Sequence, residues 1–299
     1  MFNILIWGTG YGYSKYINVL KYQELLGEIK IIGITGKDEI YLCLDGYQFF
    51  PLSEIKKLNI DYIVITSDIY FNEIIVEAKS LGILKPIFIM AKVFELPGFL
   101  FSKYIYLLNS RVSIISNNCW GGTAYHSLGM KFYSPFINMF EADRDYLRLL
   151  YNLKYYMKLK LEFIDYGYNS ILNINYPICK LGDVILHFNH YSDVEIVKIK
   201  WYERVKRITW DNLFIMMFTE DEQIANEFDK LNYKKKICFV PFSSTLSSSY
   251  YLQIRNKDIM KKIPFWSIVN KMASGHYHDY DLIDLLHTGK INKNRYFCW

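Results

Sequence analysis

Residues 113–140 read SIISNNCWGGTAYHSLGMKFYSPFINMF. With Val112 the stretch begins as a short apolar strand, which two asparagines, a cysteine, a tryptophan and two glycines end abruptly. A buried strand opening into a tight polar turn is how open α/β sheets finish at the edge where they hold ligands. The strand therefore predicts an α/β fold. Asn117 and Asn118 offer amide donors and acceptors there, Gly121 lets a ligand approach the backbone, and Trp120 supplies a flat apolar face. That set suits a sugar. It also suits a turn whose asparagines bond their own backbone.

Upstream, residues 1–100 alternate between the two periodicities. Strands are expected at Asn3–Trp7, Glu28–Thr35, Asp61–Thr66 and Pro86–Met90, with helices at Ser14–Leu26 and Phe71–Leu81. That alternation argues for a Rossmann-like parallel sheet, with room for a short strand and a helix between residues 36 and 60. Leu96-Pro97-Gly98 punctuates the chain, so a second α/β domain with a mixed sheet is expected over 101–299. There, Phe99–Leu108, Asp143–Leu161 and Ser192–Ile208 read as helices. Asp183–Tyr191, Asn212–Phe218 and Lys235–Val240 read as strands.

Gly8, Gly10 and Gly12 follow the first strand and precede the first helix, the place for a turn that holds a pyrophosphate. Their spacing is GxGxG rather than GxGxxG. No acidic residue ends the second strand, Asp38 being the nearest. Both departures weigh against a nicotinamide dehydrogenase. The turn is left open between holding some other ligand and a purely structural role in packing the helix onto the sheet.

Composition sets the bounds. At 299 residues with 52% hydrophobic and 22% charged, the chain has enough apolar sequence for two cores. Its 35 basic and 30 acidic residues are dispersed, so no nucleic-acid partner is expected. None of the arginines precedes Arg111, which confines any arginine-built anion site to the later part of the chain. Cys43, Cys119, Cys179, Cys238 and Cys298 form no CxxC pair, which suits a reducing compartment. MFNILIW has no basic start and no apolar run suits a membrane span, so the expected location is cytoplasmic, with no transmembrane segment.

Three further groups carry chemistry. A helix starting just after Gly121 and Gly122 would place the Cys119 thiol near its N-terminus, lower its pKa and favour a nucleophile, with His187 or His190 as base; a buried inert thiol is the other reading. In LGDVILHFNHY, alternation puts Asp183, His187 and Asn189 on one face, a carboxylate–imidazole couple for moving protons, while His190 points away unless the strand ends first. HxxH on a strand is poor metal spacing. Lys200, Arg204 and Arg207 recur at helical spacing as a candidate phosphate grip, with Asp211 and Asn212 next in line for a sugar hydroxyl or a metal. Asp143-Arg144-Asp145 spells a DxD motif but sits where acidic residues cap a helix. His276, His278 and Asp279 lack a clear ligand spacing.

Taken together, Asn117–Gly122, Leu128-Gly129, Ser134-Pro135-Phe136, Leu181-Gly182-Asp183, His187, His190-Tyr191, Trp201, Arg204, Arg207 and Trp210-Asp211-Asn212 resemble the signature of the bacterial exopolysaccharide biosynthesis-like proteins, a domain of unknown function. The first hundred residues look like the small Rossmann-type domains that precede sugar-modifying enzymes. The resemblance implies a role in surface-polysaccharide synthesis and hands over no catalytic residue. The expectation is a nucleotide-sugar-dependent glycosyl or related group transferase acting on a small-molecule or glycan substrate, with any divalent metal left open. A hydrolase or acyltransferase using Cys119 and a non-catalytic binding protein are the alternatives. The aromatic content makes a homodimer plausible.

Overall fold

The computed structural model describes residues 1–37, 42–84, 87–253, 257–275 and 280–291. Asp38, His276, His278, Asp279 and Cys298 lie outside them. The chain is α/β and divides into two compact units, Met1–Tyr106 and Leu107–Trp299.

From the N-terminus, β1 (Phe2–Trp7), α1 (Tyr11–Leu25), β2 (Ile29–Thr35), β3 (Cys43–Leu44), β4 (Tyr47–Gln48), β5 (Tyr62–Ile65), α2 (Phe71–Ser80), β6 (Ile87–Met90) and α3 (Phe101–Ser110) follow in order, α3 containing the boundary after Tyr106. The first sheet runs β2-β1-β5-β6 and all its pairs are parallel. Ile4–Trp7 and all of β5 are buried, as near-continuous apolar runs are in parallel sheets covered on both faces. Where a strand and a helix had room between residues 36 and 60, the chain forms the two-residue hairpin β3–β4 and one 3₁₀ turn at Ile55–Lys57. β1 lies between β2 and β5, so the strand order reverses at its carboxyl end, which is where Gly8 sits.

The three glycines of the turn have different tasks. Gly8 has φ +124°, a backbone that side chains rarely adopt. Gly10 is the N-cap of α1 and has open space around it. A methyl group on Gly12 would press into the carbonyl of Thr66, at the end of β5, so this glycine lets α1 seat against the sheet. Gly12→Ala should therefore destabilise the first unit by about 1–3 kcal/mol, the range for inserting a methyl into a filled space. Urea unfolding followed by a probe in this unit checks it.

The second unit contains β7 (Ser113–Ser116), α4 (Trp120–Ser127), α5 (Asp143–Tyr151), α6 (Leu153–Tyr156), β8 (Leu161–Asn169), β9 (Ile174–Leu181), β10 (Val184–His187), α7 (Val194–Val205), β11 (Leu213–Phe218), α8 (Glu222–Asp229), β12 (Lys236–Val240), β13 (Ser249–Tyr251), α9 (Lys257–Lys262), α10 (Phe265–Met272) and α11 (Leu282–Thr288). A parallel sheet runs β13-β12-β11-β7, and an antiparallel meander β10-β9-β8 is inserted between β7 and β11. Among the described residues no helix is long and apolar enough to cross a membrane.

Two differences from the sequence reading bear on the site. The helix expected over 143–161 breaks at Asn152, whose φ −144° and ψ 54° are not helical, and residue 161 opens β8. The apolar stripe nevertheless continues: Tyr146, Leu149, Leu150, Leu153 and Met157 all enter one core, with Phe136, Trp201 and Phe228. A helical period survives the break because α6 keeps facing the same core. The strand expected over 183–191 spans only Val184–His187, so Asp183 falls in the β9–β10 turn and His190 beyond the strand.

Candidate functional site

β7 hands its last residue directly to the turn. Ser116 Oγ donates to the Asn118 carbonyl (2.8 Å) and accepts from Gly121 N–H (3.1 Å), while Asn118 Oδ1 accepts from Trp120 N–H (3.0 Å). These bonds meet two of the orphan donors of α4. Cys119 stands at the N-cap position, with its thiol 4.0 Å from the Met139 carbonyl. Asn117 clamps the end of β11: its Nδ2 donates to the Phe218 carbonyl (3.0 Å) and its Oδ1 accepts from Phe218 N–H (3.2 Å). Its Nδ2 also lies 3.3 Å from Asp143, which in turn accepts from Thr219 Oγ1 at 2.6 Å. The first Asp of the DRD triplet thus ties α5 to the ends of β7 and β11.

A single backbone bridge assembles the rest. Phe140 and His187 exchange N–H···O bonds of 2.9 Å in both directions, and their rings stack 4.6 Å apart. This brings residues 139–141 beside the end of β10. The chain then turns, Tyr191 N–H donating to the Phe188 carbonyl (2.9 Å), and His190 swings back. Its Nε2 lies 3.3 Å from Cys119 Sγ. The pair borders a cavity of about 620 Å³ lined further by Asn118, Glu141, Asn189 and Asn270, with Ile171, Leu172 and Trp266 among its apolar walls.

The cavity is rich in unmet polarity. Asn118 Nδ2, both carboxyl oxygens of Glu141, Asn189 Oδ1 and Asn270 Oδ1 are buried without a hydrogen-bond partner among the described residues. Native interiors leave few such groups, and they concentrate where a ligand or a reaction uses them. Burial shapes the titration. The Cys119 thiol is pushed up to about 11, by desolvation first and then by the Glu141 charge. Burial holds the His190 imidazole below its ordinary value of 6.5. At neutral pH the pair is therefore a thiol beside a neutral imidazole, whereas the helix terminus alone argued for a lowered thiol pKa.

Burial also raises the Glu141 carboxyl well above the usual range, with the Asp145 charge adding to it. The folded state thus keeps a proton that the unfolded chain loses above about 4.5. The native state binds more protons, so stability is lost as pH rises from the unfolded pKa through the folded one. Glu141→Gln removes this loss. Its melting temperature should match wild type near about pH 4 and exceed it by about pH 8, which a pH series of thermal melts checks.

Several candidate residues are placed elsewhere. Trp120 is 0% exposed, stacked on Phe214 at 5.9 Å, and presents no face to a sugar. Gly121 packs on β7, where a methyl would meet Ser116 Oγ at 2.9 Å and Ile114 at 3.0 Å. The Asp183–His187 couple does not form. Asp183 accepts from Tyr156 OH (2.7 Å) and pairs with Arg148 (3.4 Å), and the Tyr156 bond leads in holding its carboxyl low. His187 is engaged by Phe140 and, at 3.5 Å, by Tyr176 OH. Alternation put the two on one face, but the turn at residues 182–183 takes Asp183 out of the strand. Arg204 is buried and donates to Tyr191 OH (2.8 Å) over the Phe132 ring, and Arg207 pairs with Glu203 at 3.4 Å; neither lines the cavity. Asn212 bonds the Ser110 carbonyl and Lys235, both at 2.9 Å, and Asp211 is exposed. In the first unit, a separate crevice of about 780 Å³ opens at the ends of β1 and β2, with Gly8, Thr9, Gly36 and Lys37 on its wall; Gly10 and Gly12 do not line it.

Glu141 and Asn270 were missed by sequence reasoning. A lone glutamate following Met139 and Phe140 was the available signal for the first; Asn270, in α10, offered none.

Residues 90–287 match the family described as a domain of unknown function (DUF1919), and residues 1–87 match a family described as C2185-like, N-terminal. A protein of Haemophilus influenzae (strain ATCC 51907 / DSM 11121 / KW20 / Rd), itself described as uncharacterized, is 36% identical over 152 residues, covering 49% of this chain and 70% of its own length.

Proposed function

This chain belongs to the DUF1919 family of domains of unknown function, and we propose that in it Cys119 is the nucleophile of an acyl-transfer reaction with His190 as its base. The observation that carries this reading is the 3.3 Å approach of Cys119 Sγ to His190 Nε2 at the edge of the cavity. A nucleophile and base within hydrogen-bond reach beside a pocket is the arrangement covalent catalysis requires. Because the thiol rests protonated, attack is of the general-base kind. Sγ bonds to the substrate carbonyl carbon while its proton passes to His190 Nε2. The imidazolium then returns the proton to the departing group, leaving a thioester on Cys119. Water or another acceptor releases the acyl group. Asn118 Nδ2, buried and unpaired, is a donor free to meet the developing oxyanion. The resemblance to exopolysaccharide biosynthesis-like proteins supports a glycan or glycan precursor as the molecule modified.

The test is intact-mass analysis after incubation with p-nitrophenyl acetate and with acetyl thioesters, using a Cys43→Ser background because Cys43 is exposed. One acetyl adduct mapping to Cys119 and lost in Cys119→Ala is expected. An adduct distribution unaffected by Cys119→Ala would sink the idea.

A second reading applies to the first unit alone. Its crevice at the strand-order reversal, bordered by Gly8 with its positive φ, favours a nucleotide-sugar donor. A thermal-shift screen against nucleotide sugars and free nucleotides should reveal it, since ligand at about 100 times its Kd adds about 2.7 kcal/mol. No shift from any of them would remove this reading.

A further inference from the structure

The cavity beside Cys119 has a sign. Glu141 is 4% exposed, and neither of its carboxyl oxygens has a partner among the described residues. Among the described residues no Lys or Arg lines that cavity. Buried carboxyls are ordinarily paired with a cation or fully hydrogen-bonded, because desolvation without compensation is costly. The unmet side-chain oxygens of Asn189 and Asn270 line the same space. Among the described residues the buried unmet donor that borders this cavity is Asn118 Nδ2, whose orientation is set by Oδ1 accepting from Trp120 N–H. A ligand that completes this site brings several donors and, opposite Glu141, a positive charge that releases the proton the buried carboxyl otherwise keeps. A phosphate or diphosphate brings the opposite chemistry.

We infer that Glu141, with Asn189 and Asn270, forms a subsite for a primary ammonium group, so that the acyl acceptor of Cys119 is an amine. This rests on the acyl-transfer reading for the reaction, though not for the binding. The three N–H donors of an ammonium match the three side chains, and a charge-assisted bond to a carboxylate is about twice as strong as a neutral one. In the transfer step the bound ammonium passes one proton to the Glu141 carboxylate. The amine nitrogen then attacks the thioester carbonyl carbon; the C–N bond forms and the C–S bond breaks. The second amine proton passes to His190 Nε2, which hands it to the departing sulfur, and the product is an amide. Burial of Glu141 supports the first exchange, because a carboxyl raised above its usual range is a stronger base toward an ammonium.

The experiment separates binding from chemistry. Isothermal titration of the Cys119→Ala protein uses D-glucosamine and n-butylamine as probes, each against its N-acetyl derivative. Both amines should bind, and acetylation should weaken each by at least about tenfold, as removing one partner of a buried charge pair does. Glu141→Gln in the same background should weaken the amines to a similar degree. Equal binding of amine and acetamide, unchanged affinity in Glu141→Gln, or no binding of either amine overturns the proposal. The amine–acetamide comparison needs no Glu141 variant, so the test stands even if that protein fails to fold. Amine binding without any acyl adduct on wild-type Cys119 would instead defeat the acyl-transfer reading and leave the subsite standing.

Discussion

His190→Ala should slow acylation of Cys119 by about 10²–10⁴-fold at neutral pH, the usual contribution of a positioned general base. The size follows from the protonation state of the pair. With the thiol pushed up to about 11, only about one molecule in ten thousand is thiolate at pH 7, so almost all attack passes through transfer to the imidazole. The same geometry sets the pH profile. The base must be neutral, and burial places the His190 pKa below 6.5, so the rate rises with pH through that lowered value. It then stays level until the thiol itself begins to ionise. In His190→Ala the plateau disappears and the rate climbs steadily toward the thiol pKa, because only preformed thiolate reacts. Stopped-flow measurement of p-nitrophenolate release across pH reads both effects. A variant that keeps the wild-type plateau would show that His190 is a neighbour and not a base.

The second large effect is on folding. Trp120→Ala should cost about 3–5 kcal/mol, the range for emptying a fully buried aromatic site. Trp120 is wholly buried, stacked at 16° on Phe214 and 6.3 Å from Phe239, so its removal opens a void between α4 and the strands β11 and β12. Trp120→Phe keeps most of the packing and removes the indole N–H, which has no partner among the described residues; its cost should be well below that of alanine. Chemical denaturation of the two variants checks the order. A tryptophan serving as an exposed sugar platform would give no such loss, so the result separates the two roles directly.

The two variants also mark what a one-dimensional reading misses in this turn. Trp120 and Gly121 stand beside Cys119 in the sequence and carry the look of a binding loop, yet α4 begins there and turns them into the sheet. One residue earlier, Cys119 faces the cavity. A helix onset separates neighbours by about 100° of rotation per residue, and the onset lies within a run that no periodicity resolves. Arg204 and Arg207 carry a related lesson. Helical spacing put both on one helix, whereas α7 ends at Val205 and Arg207 lies in the turn beyond it, and the charge stripe says nothing about what stands opposite. Tyr191 and Phe132 take the first, and Glu203 takes the second.

Local patterning by itself determined the parallel strands. Apolar runs such as ILIW and DYIVIT have one stable home, a sheet covered on both faces, and the punctuation between them fixed the helices to within a few residues. It also determined that residues 117–119 lie at a strand end, since the break after VSIIS is abrupt. Tertiary structure alone decided which histidine meets Cys119. The two lie 71 residues apart, and a single backbone bridge between Phe140 and His187 fixes where β10 stops and the chain turns. It decided the charge of the site as well. A thiol at a helix N-terminus reads as acidic, but a pKa is set by the surrounding medium as much as by the local backbone. Desolvation and the nearby Glu141 reverse the sign, and neither belongs to the sequence around Cys119.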